Sequence, residues 1–478
     1  MSKVPSEIHS LLFTEWLVRS LKVSFWMEAF RVFFVLSLLF FVFPCNGGTS
    51  SRRTGRTEDG LEEWGYVEVR PKAHLFWWFY RSPYRVEEPP KPWPIVLWLQ
   101  GGPGTSGIGC GDFLEIGPLD VNLKPRNSTW LQKADLLFVD SPVGTGYSYV
   151  EDTELLVKTE EEAAIDMTKL LEEIFNRNES LQKSPLHIVA ESYGGKFAVT
   201  LGLAALKAIE AGKLELKLGG VALGNSLISP GDLVLSWGPL LKDVSRLDNN
   251  GLKKSNSMAQ QINQQISEGR YLDARNSWNE LIAVIRSSSD YVDFYNFLLD
   301  SSMDPLFPVE RGLSTRIAMN RYSRYLSSVS PEDIVNLMNG EIRKKLKIIP
   351  SSVIWVRKAL DVNSVLAGDF MRSRINEVDE LLQKGVNVAV YNGQLDLTSS
   401  TRGTEAWIKK LKWEGLQSFL SMDRTPLYCG EEMITKGFTK SYKNLHFYWI
   451  LGAGHFVPVD QPCISLDMVV AITQSPAA

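Results

Sequence analysis

Short apolar runs alternate with longer amphipathic stretches along most of the chain. The runs are continuously apolar, which is typical of strands covered on both faces of a sheet. The stretches between them carry apolar residues at helical spacing, as in the one that follows the capping box at 159–162. Strands alternating with helices predict an α/β fold with a central, mostly parallel sheet. The predicted strands are 95–99, 136–139, 186–189, 220–223, 386–391 and 445–450.

The segment from about residue 231 to about residue 360 breaks this alternation. Apolar residues recur at helical spacing from Tyr271 to Ser287, and Pro331 follows a capping serine at the predicted start of another helix, which Gly340 is predicted to end. We interpret the segment as a helical insertion that covers the sheet. A separate domain is the alternative, although no clear linker flanks the segment.

The N-terminal region has the pattern of a secretory signal peptide. Arg31 precedes the apolar run 32–43, and small and polar residues follow it. A membrane span needs about 20 apolar residues, so no stable membrane anchor is expected. Because Met27 is a more ordinary start for such a signal than Met1, residues 1–48 are predicted to be an extension plus signal peptide. Residues 49–478 then form one domain that contains the helical insertion.

A secretory signal predicts a secreted protein, or one delivered to a vacuole or lysosome. Two acceptor sequons, at Asn127 and Asn178, fit this route and are candidate glycosylation sites. If Cys45 leaves with the signal, the three remaining cysteines allow one disulfide and one free thiol, and the pairing is open. These cysteines are Cys110, Cys429 and Cys463.

Composition excludes several classes of function. The 478 residues carry a net charge of −4, which gives no electrostatic argument for nucleic-acid binding. No grouping of cysteine and histidine has the spacing of a zinc site, and no metal or other cofactor is expected.

One turn has the character of a nucleophile site. The segment 190–195 (Ala-Glu-Ser-Tyr-Gly-Gly) joins a predicted strand to a predicted helix at 196–206. It is close to the G-x-S-x-G pattern, with Ala190 in place of the first glycine. A serine on such a sharp turn is exposed, and the next backbone N–H lies at a helix N-terminus, which suits a nucleophile. The alternative is an ordinary strand–helix turn.

A serine nucleophile needs a base and an acid that orients the base. Of the five histidines, His455 alone lies on a loop directly after a predicted strand, where α/β active sites gather. Asp396 follows the strand at 386–391 by a short turn, although a turn aspartate is the simpler interpretation. The chain order Ser192, Asp396, His455 is that of α/β-hydrolases.

The same chemistry needs backbone donors for an oxyanion. Gly101 and Gly102 follow the strand at 95–99, and consecutive glycines let backbone N–H groups approach a ligand closely. A flexible turn is the alternative. Phosphate binding is not favoured, because no G-K-[ST] sequence follows.

Together these segments resemble the serine carboxypeptidase family, of the carboxypeptidase Y type, over about residues 60–470. The resemblance rests on motifs in the family's order and implies an α/β-hydrolase fold with a helical cap insertion. Gln100, where most members have asparagine, points to a branch with plant and vertebrate members. The matching segments are 98–104, 113–118, 130–149, 191–195, 224–225, 392–396 and 452–458.

The resemblance implies a role for each matching residue. Ser192 attacks the terminal peptide carbonyl, His455 transfers the proton and Asp396 orients His455. The backbone N–H groups of Gly102 and Tyr193 hold the oxyanion. The free C-terminal carboxylate of a peptide or protein substrate is bound by three side chains, which are those of Gln100, Glu115 and Glu191.

A carboxyl group that faces a substrate carboxylate in a desolvated site must share a proton with it. Glu191 therefore predicts an acidic working range. Thr105 stands where many members have cysteine, so the usual disulfide pattern of the family does not carry over intact. Two alternatives stay open: an acyltransferase of the same fold that uses ester donors, and a non-catalytic family member.

Overall fold

The computed structural model describes residues 54–86, 92–301, 331–430 and 433–477. The predicted signal peptide, at 1–48, lies outside these residues, as does Cys45. No helix in the described part of the chain is both long enough and apolar enough to cross a lipid bilayer.

A single mixed sheet organises the described residues. Its order is β1-β2-β3-β5-β4-β7-β8-β9-β12-β11-β10, and β6 pairs with β3 beside this path. The six central strands, β5-β4-β7-β8-β9-β12, are parallel, and the edge strands pair antiparallel. All six predicted strands lie in this central part. The strands are β1 Thr54–Arg56, β2 Glu62–Arg70, β3 Ala73–Tyr80, β4 Ile95–Leu99, β5 Asp135–Val139, β6 Tyr149–Val150, β7 Pro185–Glu191, β8 Lys217–Gly224, β9 Val388–Gly393, β10 Thr425–Tyr428, β11 Thr435–Tyr442 and β12 Leu445–Ile450.

The two faces of the sheet carry two separate apolar cores. Along β4, Leu97 belongs to one core and its neighbour Trp98 to the other. Successive side chains of a strand point to opposite faces, so both must be apolar when both faces are covered. This explains the continuous apolar runs of the central strands.

Helices cover both faces. Thr159 caps the first long helix, since its side chain accepts a hydrogen bond from the backbone N–H of Glu162. The helices are α1 Glu160–Phe175, α2 Glu179–Gln182, α3 Gly194–Glu210, α4 Pro230–Asp243, α5 Asn249–Ser267, α6 Tyr271–Ser288, α7 Pro331–Leu337, α8 Arg343–Leu346, α9 Leu360–Val365, α10 Ala367–Phe370, α11 Ile375–Gln383, α12 Thr401–Ile408, α13 Leu416–Ser421, α14 Val457–Asp460 and α15 Pro462–Thr473. Two π-helical segments, Gly107–Ile116 and Met338–Ile342, and two 3₁₀ turns, Trp130–Gln132 and Thr153–Leu155, complete the elements.

The described parts of the segment 231–360 are mainly helical, from α4 to α8. The expectation that Gly340 ends a helix is wrong. Gly340 lies inside the π-helical segment, which continues into α8, and Lys347 ends that helix in the left-handed conformation with φ 59°. The amide of Asn339 bonds the carbonyls of Val335 and Trp355 here, which holds the widened turn against a neighbouring loop.

The structure resolves the choice of disulfide among the three cysteines. Cys429 and Cys463 form the bond, and Cys110 is a buried free thiol. The disulfide ties the loop after β10 to the first turn of α15.

Candidate active site

Ser192 occupies a strained turn between β7 and α3. Its φ is 61°, a conformation uncommon for a non-glycine residue. The turn is held from both sides: Ser192 N–H donates to the carbonyl of Gly224 at 2.9 Å, and its own carbonyl accepts from Leu227 N–H at 3.0 Å. Ala190, which stands where the motif has its first glycine, is an extended, buried residue of β7. Its methyl group therefore causes no backbone strain.

His455 and Asp396 form a buried pair. Nδ1 of His455 lies 2.8 Å from Oδ2 of Asp396, and the two side chains are 2% and 0% exposed. This contact places the Nδ1 proton toward the carboxylate and leaves Nε2 as the basic nitrogen. The same carboxylate oxygen accepts hydrogen bonds from the Asn225 amide at 2.7 Å and from the backbone N–H of Ser399 at 3.2 Å.

Two further residues orient this pair. Asn225, which directly follows β8, also accepts a hydrogen bond from the backbone N–H of Gly393, so it ties Asp396 to the end of β9. Tyr295 bonds His455 N–H through its carbonyl at 2.8 Å, and its ring lies over the imidazole at 4.8 Å between centroids. Neither residue was assigned a role from the sequence. Asn225 could have been found as a polar residue at a strand's carboxyl end, whereas Tyr295 gave no signal.

The loop after β4 passes directly over the serine turn. A Cβ atom built on Gly101 would lie 2.6 Å from Ser192 Cβ and 2.8 Å from Tyr193 N, so only glycine permits this approach. Gly102 has φ +114°, the region that favours glycine. The loop thereby brings the backbone of Gly102 beside the N-terminus of α3, where Tyr193 is the capping residue.

Gln100 is fixed by two hydrogen bonds in the same wall. Its Oε1 accepts from the indole N–H of Trp98 at 2.7 Å, and its Nε2 donates to Oε1 of Glu191 at 2.8 Å. Because an indole N–H can only donate, this contact fixes which end of the amide is which. Gln100 also hydrogen-bonds the carboxyl group of Glu115, which partly offsets the rise of its pKa, and Gln100 lines the cavity.

Glu115 and Glu191 make the most unusual contact of the site. Both carboxyl groups are fully buried and in hydrogen-bonding contact with each other. Burial raises the pKa of Glu115 to about 7. Burial and the neighbouring charge of Glu115 raise the pKa of Glu191 well above its ordinary value. At acidic pH the pair is therefore protonated and able to donate hydrogen bonds.

The ring of Tyr193 is anchored on the opposite side of the sheet. Its hydroxyl bonds Glu160, which also pairs with Lys196 at 2.7 Å and with Arg374. These cations hold the pKa of Glu160 at about 2 against the effect of its burial. Carboxylate oxygens of Glu160, Glu161 and Asp369 lie close enough to hold an ion, but Arg374 already pairs with all three and Lys196 pairs with Glu160. A metal does not fit this group.

The predicted residues meet at one cavity of about 350 Å³. Ser192, His455, Gln100, Gly102, Tyr193 and Glu191 line it. Asp396 lies behind His455, and Glu115 lies behind Glu191. The structure thus brings all eight predicted catalytic and binding residues together. The two predicted glycosylation positions lie elsewhere: Asn127 is exposed, and Asn178 is half-buried with its Oδ1 capping α2.

Comparison with known proteins identifies the family. The sequence model of the serine carboxypeptidase family matches residues 54–475. The chain is 58% identical to "Serine carboxypeptidase-like 51" of Arabidopsis thaliana, over 92% of this chain and 98% of the relative. It is 44% identical to the "Retinoid-inducible serine carboxypeptidase" of Mus musculus, over 92% of this chain and 97% of the relative.

A solved structure supports the fold. The Kex1 prohormone-processing carboxypeptidase of Saccharomyces cerevisiae superposes with a TM-score of 0.70, covering 86% of this chain and 91% of that one. At 21% identity this likeness concerns the fold, which is that of the α/β-hydrolases.

Proposed function

The chain belongs to the serine carboxypeptidase family, and from that premise we propose that it is a serine-type carboxypeptidase that removes the C-terminal residue of peptides and proteins through an acyl-enzyme at acidic pH. The observation that carries the proposal is the contact of Gln100 and Glu191 beside Ser192, backed by the buried Glu115.

The proposed reaction begins with attack of Ser192 Oγ on the last peptide carbonyl. Nε2 of His455 takes the hydroxyl proton, while Asp396 stabilises the resulting imidazolium through Nδ1. The N–H groups of Gly102 and Tyr193 receive the developing oxyanion charge. When the C–N bond breaks, His455 returns the proton to the departing amino acid. Water then attacks the ester of the acyl-enzyme, with His455 again accepting and returning the proton. The ester bond breaks, the shortened peptide leaves as a carboxylic acid and Ser192 is regenerated.

Recognition of the substrate's free carboxylate explains why the cut is at the last residue. In the proposed complex Gln100 donates from Nε2, and the protonated Glu115–Glu191 pair donates to the same carboxylate. An ionised glutamate would instead repel it in this desolvated wall. Occupation of the site therefore requires a proton on the pair, and the resulting preference for acidic pH follows from its raised pKa values.

The helical segment above the sheet closes the site on one side, since Trp278 and Ile282 of α6 line the cavity. We place the substrate's acyl portion against this wall. Delivery through the secretory pathway, to the outside of the cell or to a vacuole or lysosome, is part of the proposal. It rests on the N-terminal sequence pattern, which lies outside the described residues.

Incubation with an N-blocked dipeptide at pH 5 tests the proposal against its two alternatives. The proposal predicts release of the free amino acid. Ester formation from a glucose ester donor and an alcohol, without amino acid release, would favour an acyltransferase. Neither product, from a protein that also fails to react with a serine-directed phosphonate, would indicate a non-catalytic family member.

A further inference from the structure

One wall of the cavity carries positive charge that the proposed mechanism does not use. Arg275, Asn279, Ile282 and Arg286 are spaced 4, 3 and 4 residues apart on α6, so they share one face of the helix, and all four line the cavity. Lys358 lines it from a different segment, whose backbone pairs with Thr105 just after the glycine loop.

Arg275 and Lys358 lie near each other in the wall of the cavity. The guanidinium of Arg275 lies 3.7 Å from the centroid of the Phe370 ring. Burial lowers the pKa of Arg275 to about 10. Burial, and then the neighbouring charges of Arg275 and Arg357, lower the pKa of Lys358. Within the described residues neither Arg275 nor Lys358 forms an ion pair with a carboxylate. Two like charges held together in this way are stabilised when an anion binds between them.

The acidic residues of the cavity are engaged elsewhere. Glu191 is bound to Gln100 and to the buried Glu115. Oδ1 of Asp293 accepts the backbone N–H groups of Tyr295 and Asn296. The charge of Arg275 and Lys358 therefore faces the space that a substrate would fill.

The position of this pair relative to Ser192 indicates which part of a substrate it meets. Glu191 and Tyr193 flank the serine, but their side chains diverge. Glu191 lies with Gln100 beside Trp98 in one core, whereas the Tyr193 ring stacks on Phe370 in the other. Arg275 covers that same Phe370 ring. A peptide whose C-terminal carboxylate lies at Glu191 would extend its acyl side toward Arg275.

We propose that Arg275 and Lys358 form a subsite that selects peptides with an aspartate or glutamate as the penultimate residue, immediately before the bond that is cut. The proposal rests on the carboxypeptidase function proposed above and names a substrate class for it. The carboxylate of the penultimate side chain lies between the guanidinium and the ammonium, and it gains a charge-assisted hydrogen bond that an amide side chain does not.

The test compares benzyloxycarbonyl-Glu-Phe with benzyloxycarbonyl-Gln-Phe at pH 5, where a free glutamate side chain is mostly ionised. The full chain is expected to show a kcat/KM about tenfold higher for the glutamate peptide, the effect of one hydrogen bond to a charged group. Raising the salt concentration should reduce this ratio. The double variant Arg275→Gln, Lys358→Gln should bring the ratio to about one, and Arg275→Glu should favour a penultimate lysine.

Lys254→Gln is the matched control, because Lys254 is an exposed lysine of α5 that lies outside the cavity lining. It removes the same charge and should keep the tenfold ratio. Equal cleavage of both peptides by the unaltered chain would overturn the subsite and leave the carboxypeptidase function standing. A preference for glutamate as the last residue instead, measured with Phe-Glu and Phe-Gln peptides, would also overturn it. Failure to cleave any of these peptides would overturn the proposed function, and the subsite with it.

Discussion

The carboxyl groups of Glu115 and Glu191 are in hydrogen-bonding contact inside a fully buried wall, one behind the other as seen from the cavity. Glu115 comes from a π-helical segment and Glu191 from the end of β7. Two buried carboxylates cannot both be ionised at such a separation without a large energetic penalty. At least one of the two carboxyl groups therefore holds a proton, and acidic pH supplies it. In the function proposed above, the pair therefore couples substrate binding to pH.

Activity on a free-acid peptide should fall as pH rises through about 7. Below that value Glu115 and Glu191 are both protonated, and above it Glu115 ionises in keeping with its pKa of about 7. The new charge opposes the substrate carboxylate, so the loss should appear mainly in KM. Glu115→Gln, which stays neutral, should flatten the decline between pH 6 and 8. A kcat/KM that increases from pH 5 to pH 8 would contradict this account.

The same carboxyl group should make stability depend on pH. The folded-state pKa of Glu115 is raised from 4.5 to about 7, so between these values the folded chain keeps a proton that the unfolded chain releases. Its contribution therefore lowers stability as pH rises through that window. Glu115→Gln should raise Tm relative to the unaltered chain more at pH 7.5 than at pH 5. An equal change in Tm at both pH values would show that the group does not titrate as described.

Shortening the Gln100 side chain should weaken substrate binding. Its amide bridges Trp98 and Glu191 through contacts of 2.7 and 2.8 Å, and Gln100→Asn withdraws the amide by one methylene. KM for a free-acid peptide should rise about tenfold, equivalent to one lost charge-assisted hydrogen bond, with a smaller change in kcat. Trp98→Phe is the comparison variant: it removes the donor that orients Gln100, together with part of a buried ring, but leaves the Gln100 amide in place, so its effect on KM should be smaller. An unchanged KM in Gln100→Leu would show that Gln100 does not bind the substrate carboxylate.

A methyl group at Gly101 should impair catalysis without touching the catalytic side chains. The added Cβ would lie 2.6 Å from Ser192 Cβ and 2.8 Å from Tyr193 N, so the serine turn and the glycine loop must separate. A displacement of about 1 Å at a reacting group can cost about 100-fold in rate. We expect a loss of that order in kcat for Gly101→Ala. Gly340→Ala, at a position without a positive φ and with open space around the added Cβ, serves as the control for stability. Normal kcat in Gly101→Ala would show that the close approach is not needed.

Loss of the disulfide should destabilise the fold while leaving the site intact. Cys429 and Cys463 are 34 residues apart, and closing a loop of that size lowers the entropy of the unfolded chain by an amount worth about 3–4 kcal/mol. The double variant Cys429→Ser, Cys463→Ser should show a lower Tm, measured by thermal unfolding with and without reductant. Cys110→Ser keeps the disulfide and should lose as much Tm on addition of reductant as the parent chain, whereas the Tm of the double variant should not depend on reductant. A reductant-independent Tm in the parent chain would contradict the assignment.

The central sheet could be predicted because its strands are buried on both faces, which makes them continuously apolar. The antiparallel strands β1, β2, β3, β6, β10 and β11 were not predicted. Most residues of β10 and β11 are half-buried or exposed, so these strands lack such runs. The strand β3 carries a buried apolar run that the prediction missed. The prediction that Gly340 ends a helix failed for a different reason. A glycine near a helix end often caps the helix, but here the tertiary contacts of Asn339 maintain a π-helical turn.

The catalytic candidates were predictable because each lies directly after a strand or in a glycine loop. The supporting residues were less so. Tyr295 acts through its carbonyl and its ring position, which depend on how the segment after α6 folds over the loop of His455. The proximity of Arg275 and Lys358 could not be predicted from the sequence either, since it arises from tertiary packing between distant segments. No local pattern encodes such contacts.

The most direct test of the central claim measures amino acid release from two peptides that differ only at their C-terminus. An N-blocked dipeptide with a free carboxylate and its C-terminal amide are each incubated with the chain and with Ser192→Ala at pH 5. The account predicts rapid release from the free acid, at least about 100-fold slower cleavage of the amide, and a loss of about 1,000-fold or more in kcat for Ser192→Ala. Equal cleavage of acid and amide, or full activity in Ser192→Ala, would contradict it.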